Sequence, residues 1–354
     1  MTLSFPALPK ACSVVVVTGG RHRKTDSARR RSMPEPARVR WGILATGSIN
    51  QRFLLHARDA PNAEFVAVGS RSPERAKAFA AEYEIGRAHG TYEELLADPS
   101  VEAVYNCTPN SLHHEWTMRA LRAGKHVLCE KPYSRRSAEV EEAFDFASSA
   151  GLWLMEGFMW RHTPQIRRFI EVLPDLGPLQ AIRATFSFRI ASDTDVRLAA
   201  DLDGGSLMDV GCYCLSGIRV VAGAEPQRVH GEQVIGDSGV DLSFSGLLRF
   251  ADGLTATFTA GFRSEHASLE AIGSKGSLLL PSAWNGRATA MFLDGREIPL
   301  EQDDPYRLEV ENLSAAIRGE AKPLLGRADA LGQARAIEAL YQSSDTGHEV
   351  ALSD

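Results

Sequence analysis

The chain has 354 residues, 44% hydrophobic and 24% charged, with a formal net charge of −6. That length accommodates about two domains with sizeable cores, and no apolar run approaches the ~20 residues a membrane-spanning helix needs. Five cysteines (Cys12, Cys107, Cys129, Cys212 and Cys214) form no CxxC pair, so reduced thiols in a cytoplasmic protein are expected.

Residues 1–38 stand apart. They carry a charge of +6, which leaves −12 for residues 39–354 and argues against nucleic-acid binding by the remainder. The apolar run at 13–17 is too short for a signal core and precedes the arginines at 29–31 instead of following them. The segment is expected to be a disordered basic arm, or an upstream extension ahead of a start at Met33.

From residue 39 the pattern becomes regular. "VRWGILA" (39–45) reads as a buried strand, followed by a helix over 48–60. "EFVAVGS" (64–70) is a second strand, and Pro73 opens a helix in its first turn. "YEELLAD" (92–98) is a short helix and "VEAVYNC" (101–107) a third strand, with a helix over 111–123. "HVLCEK" (126–131) is a fourth strand, Ser137 is expected to cap the next helix, and "GLWLME" (151–156) is a fifth strand. Short apolar strands alternating with amphipathic helices predict an α/β fold, a doubly wound parallel sheet of Rossmann type.

After about residue 164 the rhythm changes. Strands are expected at 180–190, 227–235, 240–250, 254–262, 267–273 and 276–281, with helices at 205–221, 305–318 and 327–343. Alternating apolar and polar residues, as in "QAIRATFSFRI", give a sheet with one wet face. The expected division is a dinucleotide-binding domain over 39–160 and an α+β domain over 161–354, built on an open, mainly antiparallel sheet. A second subunit is the natural cover for that sheet face, so this domain is expected to bind substrate and to form a homodimer through its sheet.

The first βα turn, "GILATGSIN" (42–50), places small residues where a pyrophosphate would approach the backbone. Aligned on G-x-G-x-x-G/A, Ala45, Gly47 and Asn50 take the glycine positions, with Thr46, Ser48 and Ile49 completing the loop. The second strand ends in Ser70-Arg71-Ser72, with Arg75 beyond, where an NAD-specific fold carries a carboxylate. A hydroxyl and guanidinium groups suit a 2′-phosphate, so NADP is expected, with NAD possible.

Four motifs then occur in order: "CTPNSLHHE" (107–115), "EKP" (130–132), "EGFMWRHTPQ" (156–165) and "GGSLMDVGCYCLSG" (204–217). Together they resemble the Gfo/Idh/MocA family of NAD(P)-dependent oxidoreductases. The resemblance is nearest its branch of dimeric dihydrodiol dehydrogenases, NADP-dependent D-xylose dehydrogenases and glucose-fructose oxidoreductase, and it spans about residues 39–345. It implies that Lys131 is the active-site lysine, Tyr213 its partner acid/base and Asp209 a substrate-binding residue. It also implies that Thr108, Pro109, Asn110, His113, Glu130 and Lys131 line the cofactor.

Oxidising an alcohol carbon requires removal of the hydroxyl proton as hydride leaves. Tyrosine and lysine both titrate near 10 when free, so each needs its environment to act at neutral pH. Either Tyr213 exchanges the proton with Lys131 lowering its pKa, or Lys131 is the base; the pair is the expectation. Trp160 and Arg161 open toward the second domain, where Arg161 either clamps a sugar hydroxyl or pairs with an acidic neighbour. Asp193 and Asp195 lie in a loop that either edges the pocket or is merely solvated, and His114 and His126 read as structural or exposed. No His/Asp/Glu cluster has metal-ligand spacing.

The resulting expectation is an NADP(H)-dependent oxidoreductase acting on a sugar carbon, in the form of aldose oxidation at C1 to a lactone. The alternatives are a trans-dihydrodiol dehydrogenase, an anhydro- or dicarbonyl-sugar reductase, and a non-catalytic NADP-binding sensor. The sensor has no need of both Lys131 and Tyr213.

Overall fold

Strands that are apolar on both faces can be buried only if helices cross over each side of the sheet. A computed structural model, describing residues 37–352, builds this arrangement first. The order is β1 (Val39–Leu44), α1 (Ile49–Ala57), β2 (Ala63–Gly69), α2 (Pro73–Glu82), β3 (Arg87–His89), α3 (Tyr92–Ala97), β4 (Ala103–Asn106), α4 (His113–Arg122), β5 (His126–Glu130), α5 (Ser137–Ser149) and β6 (Leu154–Gly157). The six strands pair in parallel in the order β3-β2-β1-β4-β5-β6. Strand order reverses between β1 and β4, so a crevice opens at their carboxyl ends.

Local chemistry sets the helix starts. Ser72 Oγ accepts from Arg75 N (3.2 Å) ahead of Pro73, and Thr91 Oγ1 accepts from Glu94 N (3.1 Å). Ser137 is not a cap: it is the first residue of α5, and Ser134 Oγ accepts from Arg136 N instead (3.0 Å). The last strand of this sheet begins at Leu154, not at 151, because Gly151 takes a left-handed φ of 65°. β3 escaped the sequence reading because Arg87-Ala88-His89 has no apolar run.

The second layer follows: α6 (Pro164–Val172), β7 (Leu179–Ser187), α7 (Cys212–Ala222), β8 (Arg228–Ile235), β9 (Asp241–Arg249), β10 (Thr255–Gly261), β11 (His266–Gly273), β12 (Gly276–Pro281), β13 (Ala290–Leu293), β14 (Arg296–Pro299), α8 (Pro305–Ile317), α9 (Arg327–Thr346) and β15 (Val350–Ala351). Its nine-stranded sheet runs β14-β13-β12-β11-β7-β10-β9-β8-β15 and is antiparallel except where β7 and β10 pair in parallel. Ile182, Ala184, Phe244, Leu248, Phe258 and Leu269 are buried. Alternate positions carry hydroxyls and charges, with Thr185 against Ser268 (2.9 Å) and Arg183 against Glu270 (3.5 Å). α7 is buried on nearly all sides, as its apolar run Cys-Tyr-Cys-Leu requires.

Late in the chain, α8 returns to the first sheet. Trp41 Nε1 of β1 donates to Ser314 Oγ (3.1 Å), and Trp153 Nε1 donates to Ala316 O (3.0 Å). The basic arm lies outside the described residues as far as residue 36. Ala37 and Arg38 are held through their carbonyls by Arg318 (2.7 and 2.8 Å).

Candidate active site

The crevice at the carboxyl ends of the first sheet is a cavity of about 730 Å³, within the range of ordinary ligand sites. Its floor is the turn after β1. Ala45 there has φ 95°, a conformation glycine adopts more cheaply. A Cβ built on Gly47 would meet only Cys107 O, at 3.7 Å. Packing therefore does not require a glycine at 47; bare backbone there leaves room for a ligand, as a pyrophosphate beside a helix start would need. Asn50, at the third glycine position of the motif, is fully buried and ties the loop together. Its Nδ2 donates to Ala45 O and Gly47 O, both at 3.1 Å.

Thr46, Ser48, Ile49, Ser70, Arg71 and Arg75 line the same cavity, with Ser72 and Tyr92 beside them. Among the described residues neither Arg71 nor Arg75 enters a salt bridge, leaving two exposed guanidinium groups for an anion. Loop, helix start and exposed arginines fit a phosphorylated dinucleotide.

The opposite wall comes from the turn after β4. Buried Asn106 fixes it: its Oδ1 accepts from Thr108 Oγ1 (2.8 Å) and its Nδ2 donates to His113 O (3.0 Å). His113, 1% exposed, sets its ring nitrogens 2.9 Å from Thr108 O and Pro132 O, and so joins this turn to the one that follows β5. Burial pushes its pKa down to about 4, against the pull of those carbonyls. Asn110, beyond Pro109, donates across the cleft to Asp203 O (3.0 Å) and does not cap its own helix. All fourteen residues expected to hold cofactor line this one cavity.

Lys131 follows β5, joined to Pro132 by a cis peptide, and projects into the cavity. Its ammonium donates to Asp209 O (2.7 Å) and Asp209 Oδ1 (3.2 Å) and lies 4.7 Å from the centroid of the Tyr213 ring. Asp209 and Tyr213 were expected on a regular helix, but Leu207–Gly211 is a π-turn. Cys212 N donates to Leu207 O, five residues back, and the Asp209 carbonyl, within this widened turn, accepts from Lys131. π-turns recur at functional sites, but the sequence carries no local signal for this one.

The electrostatics of the pair follow from its neighbours. Burial works against the Lys131 ammonium, but the Asp209, Cys212 and Glu130 groups outweigh it, and its pKa is raised. Tyr213 is also raised well above its ordinary value, by burial and then by Glu130. Lys131 lies over the Tyr213 ring, with its ammonium 4.7 Å from the ring centroid. As folded, the site presents two proton donors. Glu130, whose carboxyl is raised by burial, hydrogen-bonds Tyr105 and accepts from Lys131 N (3.2 Å).

Two expected substrate residues lie elsewhere. Arg161 donates to Asp329 Oδ1 (3.2 Å) and Ser216 Oγ (3.1 Å), the acidic-neighbour alternative. Trp160 is fully buried, edge-on to Trp284 at 5.1 Å. Neither lines the cavity. His114 bonds Tyr133 Oη, and His126 accepts from Trp153 N; both are structural. Arg197 and Leu202, supplied to the cavity by the segment at 188–205, were not singled out in the sequence, and Gly204 and Gly205 entered only as the start of a motif. The sequence reading singled out Asp195 without the arginine that Asp195 holds.

Such a cavity, with a glycine turn and helix start on one wall and Lys131 with Asp209 on the other, fits an NAD(P)-dependent oxidoreductase; Tyr213, beneath Lys131, does not itself line it. Residues 39–158 match the model of an oxidoreductase family with an NAD-binding Rossmann fold, and residues 174–279 match the GFO/IDH/MocA C-terminal domain. The chain belongs to the Gfo/Idh/MocA family. It is 38% identical over 323 residues to the D-xylose 1-dehydrogenase (NADP(+)) 2 of Haloferax volcanii, across 88% of this chain and 99% of that one. It is 36% identical to the trans-1,2-dihydrobenzene-1,2-diol dehydrogenase of Sus scrofa, across 74% and 80%. Among solved structures, an aldose-aldose oxidoreductase from Caulobacter crescentus aligns with a TM-score of 0.80 at 30% identity, across 89% of this chain and 100% of that one. A 3-ketoreductase from Actinomadura kijaniata in complex with NADP aligns at 0.82, also at 30% identity, across 86% and 98%.

Proposed function

We propose that the protein is an NADP(H)-dependent sugar oxidoreductase that moves hydride between the nicotinamide and C1 of an aldose, giving the lactone in the oxidative direction. The observation that carries this reading is Lys131, held at the meeting point of the cofactor cleft and the π-turn by Asp209 and packed over Tyr213. NADP, when bound, supplies the hydride acceptor. Two electrons and the C1 hydrogen would leave as hydride while the hydroxyl proton passes to whichever member of the Lys131–Tyr213 pair has already released its own proton. Arg71 and Arg75 would take the 2′-phosphate, and Ala45, Thr46, Gly47, Ser48 and Ile49 the pyrophosphate. The D-xylose dehydrogenase relative, covered almost end to end, supports the aldose over the dihydrodiol.

Domains at 39–160 and 161–354, a homodimer formed through the second sheet and a cytoplasmic setting belong to the same proposal. The hydroxyl-rich sheet face and half-exposed Leu247 support the dimer; the four buried cysteines, unpaired among the described residues, support the setting. One plate tests the function: NADPH formation with a panel of aldoses, dihydrodiols and dicarbonyl sugars, repeated with NAD. Xylose or glucose should give the fastest rates, rising with pH as the site's proton donors ionise. Tight NADPH binding with no turnover on any substrate would favour a sensor.

A further inference from the structure

Asp209 lies between two cations. Its Oδ1 takes the Lys131 ammonium at 3.2 Å, and its Oδ2 takes Arg197 Nε at 2.7 Å. Arg197 Nη1 is tied in turn to Asp195 Oδ1 (3.2 Å), and its guanidinium carbon sits 5.5 Å from the Phe188 ring centroid. The segment carrying Arg197 is firmly folded. Gly205 N donates to Arg197 O (2.9 Å) and Gly204 N to Ala199 O (3.0 Å), and a side chain at Gly204 would strike both carbonyls. Asp203 pins the same segment to the turn before α5 through Arg136 Nη1 (3.0 Å). Arg197 thus has a built position, although its side chain is 40% exposed.

We infer that Arg197 is a positioning residue for Lys131: by holding one oxygen of Asp209 it stops that carboxylate from clamping the ammonium with both. The inference rests on the oxidoreductase reading above. A carboxylate free to turn both oxygens onto one ammonium makes a tighter pair, and a lysine so held releases its proton less readily. The groups facing Lys131 are Glu130 on its own strand, His113 from α4, Glu156 from β6, Asp209 on the π-turn, Cys212 and Tyr213 from α7, Tyr306 from α8, and Arg197. With His113 neutral, Arg197 is the one cation in that set, and it opposes the Lys131 ammonium as Asp209 favours it.

The test uses the full chain with NADP(H) and the variants Arg197→Leu and Arg197→Lys. The first readout is acetylation of Lys131 by acetic anhydride at alkaline pH, measured by mass spectrometry against exposed Lys275. Only the free amine reacts, so positioning predicts that Arg197→Leu slows labelling several-fold and that Arg197→Lys restores it. If Arg197 merely shields the lysine, its loss would speed labelling; faster or unchanged labelling overturns the inference. The second readout is sugar oxidation. kcat should fall about 10- to 100-fold in Arg197→Leu, with its rise displaced to higher pH and NADPH affinity unchanged; a kcat within twofold of wild type also overturns it. A wild-type chain that oxidises no sugar would sink the functional reading, and the labelling would still decide the role of Arg197.

Discussion

β5 has a lysine just before it and another just after it, and the two are held differently. Lys125, at the amino end, is 7% exposed and donates to Asp98 O (2.8 Å) and Val101 O (2.7 Å). Lys131, at the carboxyl end, donates to one main-chain carbonyl and one carboxylate oxygen of Asp209. Burial lowers the pKa of Lys125 against the pull of Asp98, whereas at Lys131 the carboxylate of Asp209 prevails over burial. The difference lies in the partners. Fixed carbonyls turn a lysine into a brace for the loop before β4. A carboxylate carried on another element can exchange partners, and the third N–H of Lys131 remains for a ligand in the cavity.

Replacing each lysine by methionine tests that contrast. Lys131→Met should lower kcat by about 10²–10⁴-fold while the protein stays folded and binds NADPH, measured by steady-state rates and NADPH fluorescence. Near-normal turnover would remove Lys131 from the chemistry. Lys125→Met should leave kcat of the folded enzyme unchanged and cost about 1–3 kcal/mol of stability in urea unfolding, because two buried carbonyls lose their donor. A catalytic defect there would erase the distinction between the two ends of the strand.

The smallest effect concerns Glu156, on β6 beside the Lys131 turn. Its Oε1 accepts from Tyr133 N (2.8 Å), its Oε2 has no partner among the described residues, and burial pushes its pKa up to about 8. Between about pH 4.5 and 8 the folded state keeps a proton that the unfolded chain releases, so this group makes stability fall as pH rises across that window. Glu156→Gln retains the acceptor and removes the titration. The variant should gain on wild type by on the order of 1–3 kcal/mol between pH 5.5 and 8, read from urea curves at both values. Parallel pH profiles would show that Glu156 is ionised in the folded protein.

Much of the first layer was legible because its information is local. The turn at 45–50, the Ser70-Arg71-Ser72 end of β2 and the proline opening α2 each act within a few residues of where they are written, and all the expected cofactor residues face one cavity. β3 was missed because three residues without an apolar run carry no period. In the second layer the long strands were legible from alternation, whereas β13, β14 and β15, at four, four and two residues, were too short to register. Arg161 shows the limit for single side chains: its motif placed it near the cleft, but its partner Asp329 is 168 positions away.

The sequence alone determined the parallel sheet, the phosphate loop, the resemblance that paired Lys131 with Tyr213, and the arginines suited to NADP. Each follows from residue periodicity or from motifs whose parts lie close together or stand in a fixed order. Tertiary structure decided how the charges balance. It opened the π-turn, aimed the Asp209 carbonyl at Lys131, set that lysine over the tyrosine ring, and brought Arg197 to the far side of the carboxylate. Those outcomes depend on distances between groups 78 residues apart in one case, and a Coulomb interaction is set by separation in space, not by separation along the chain.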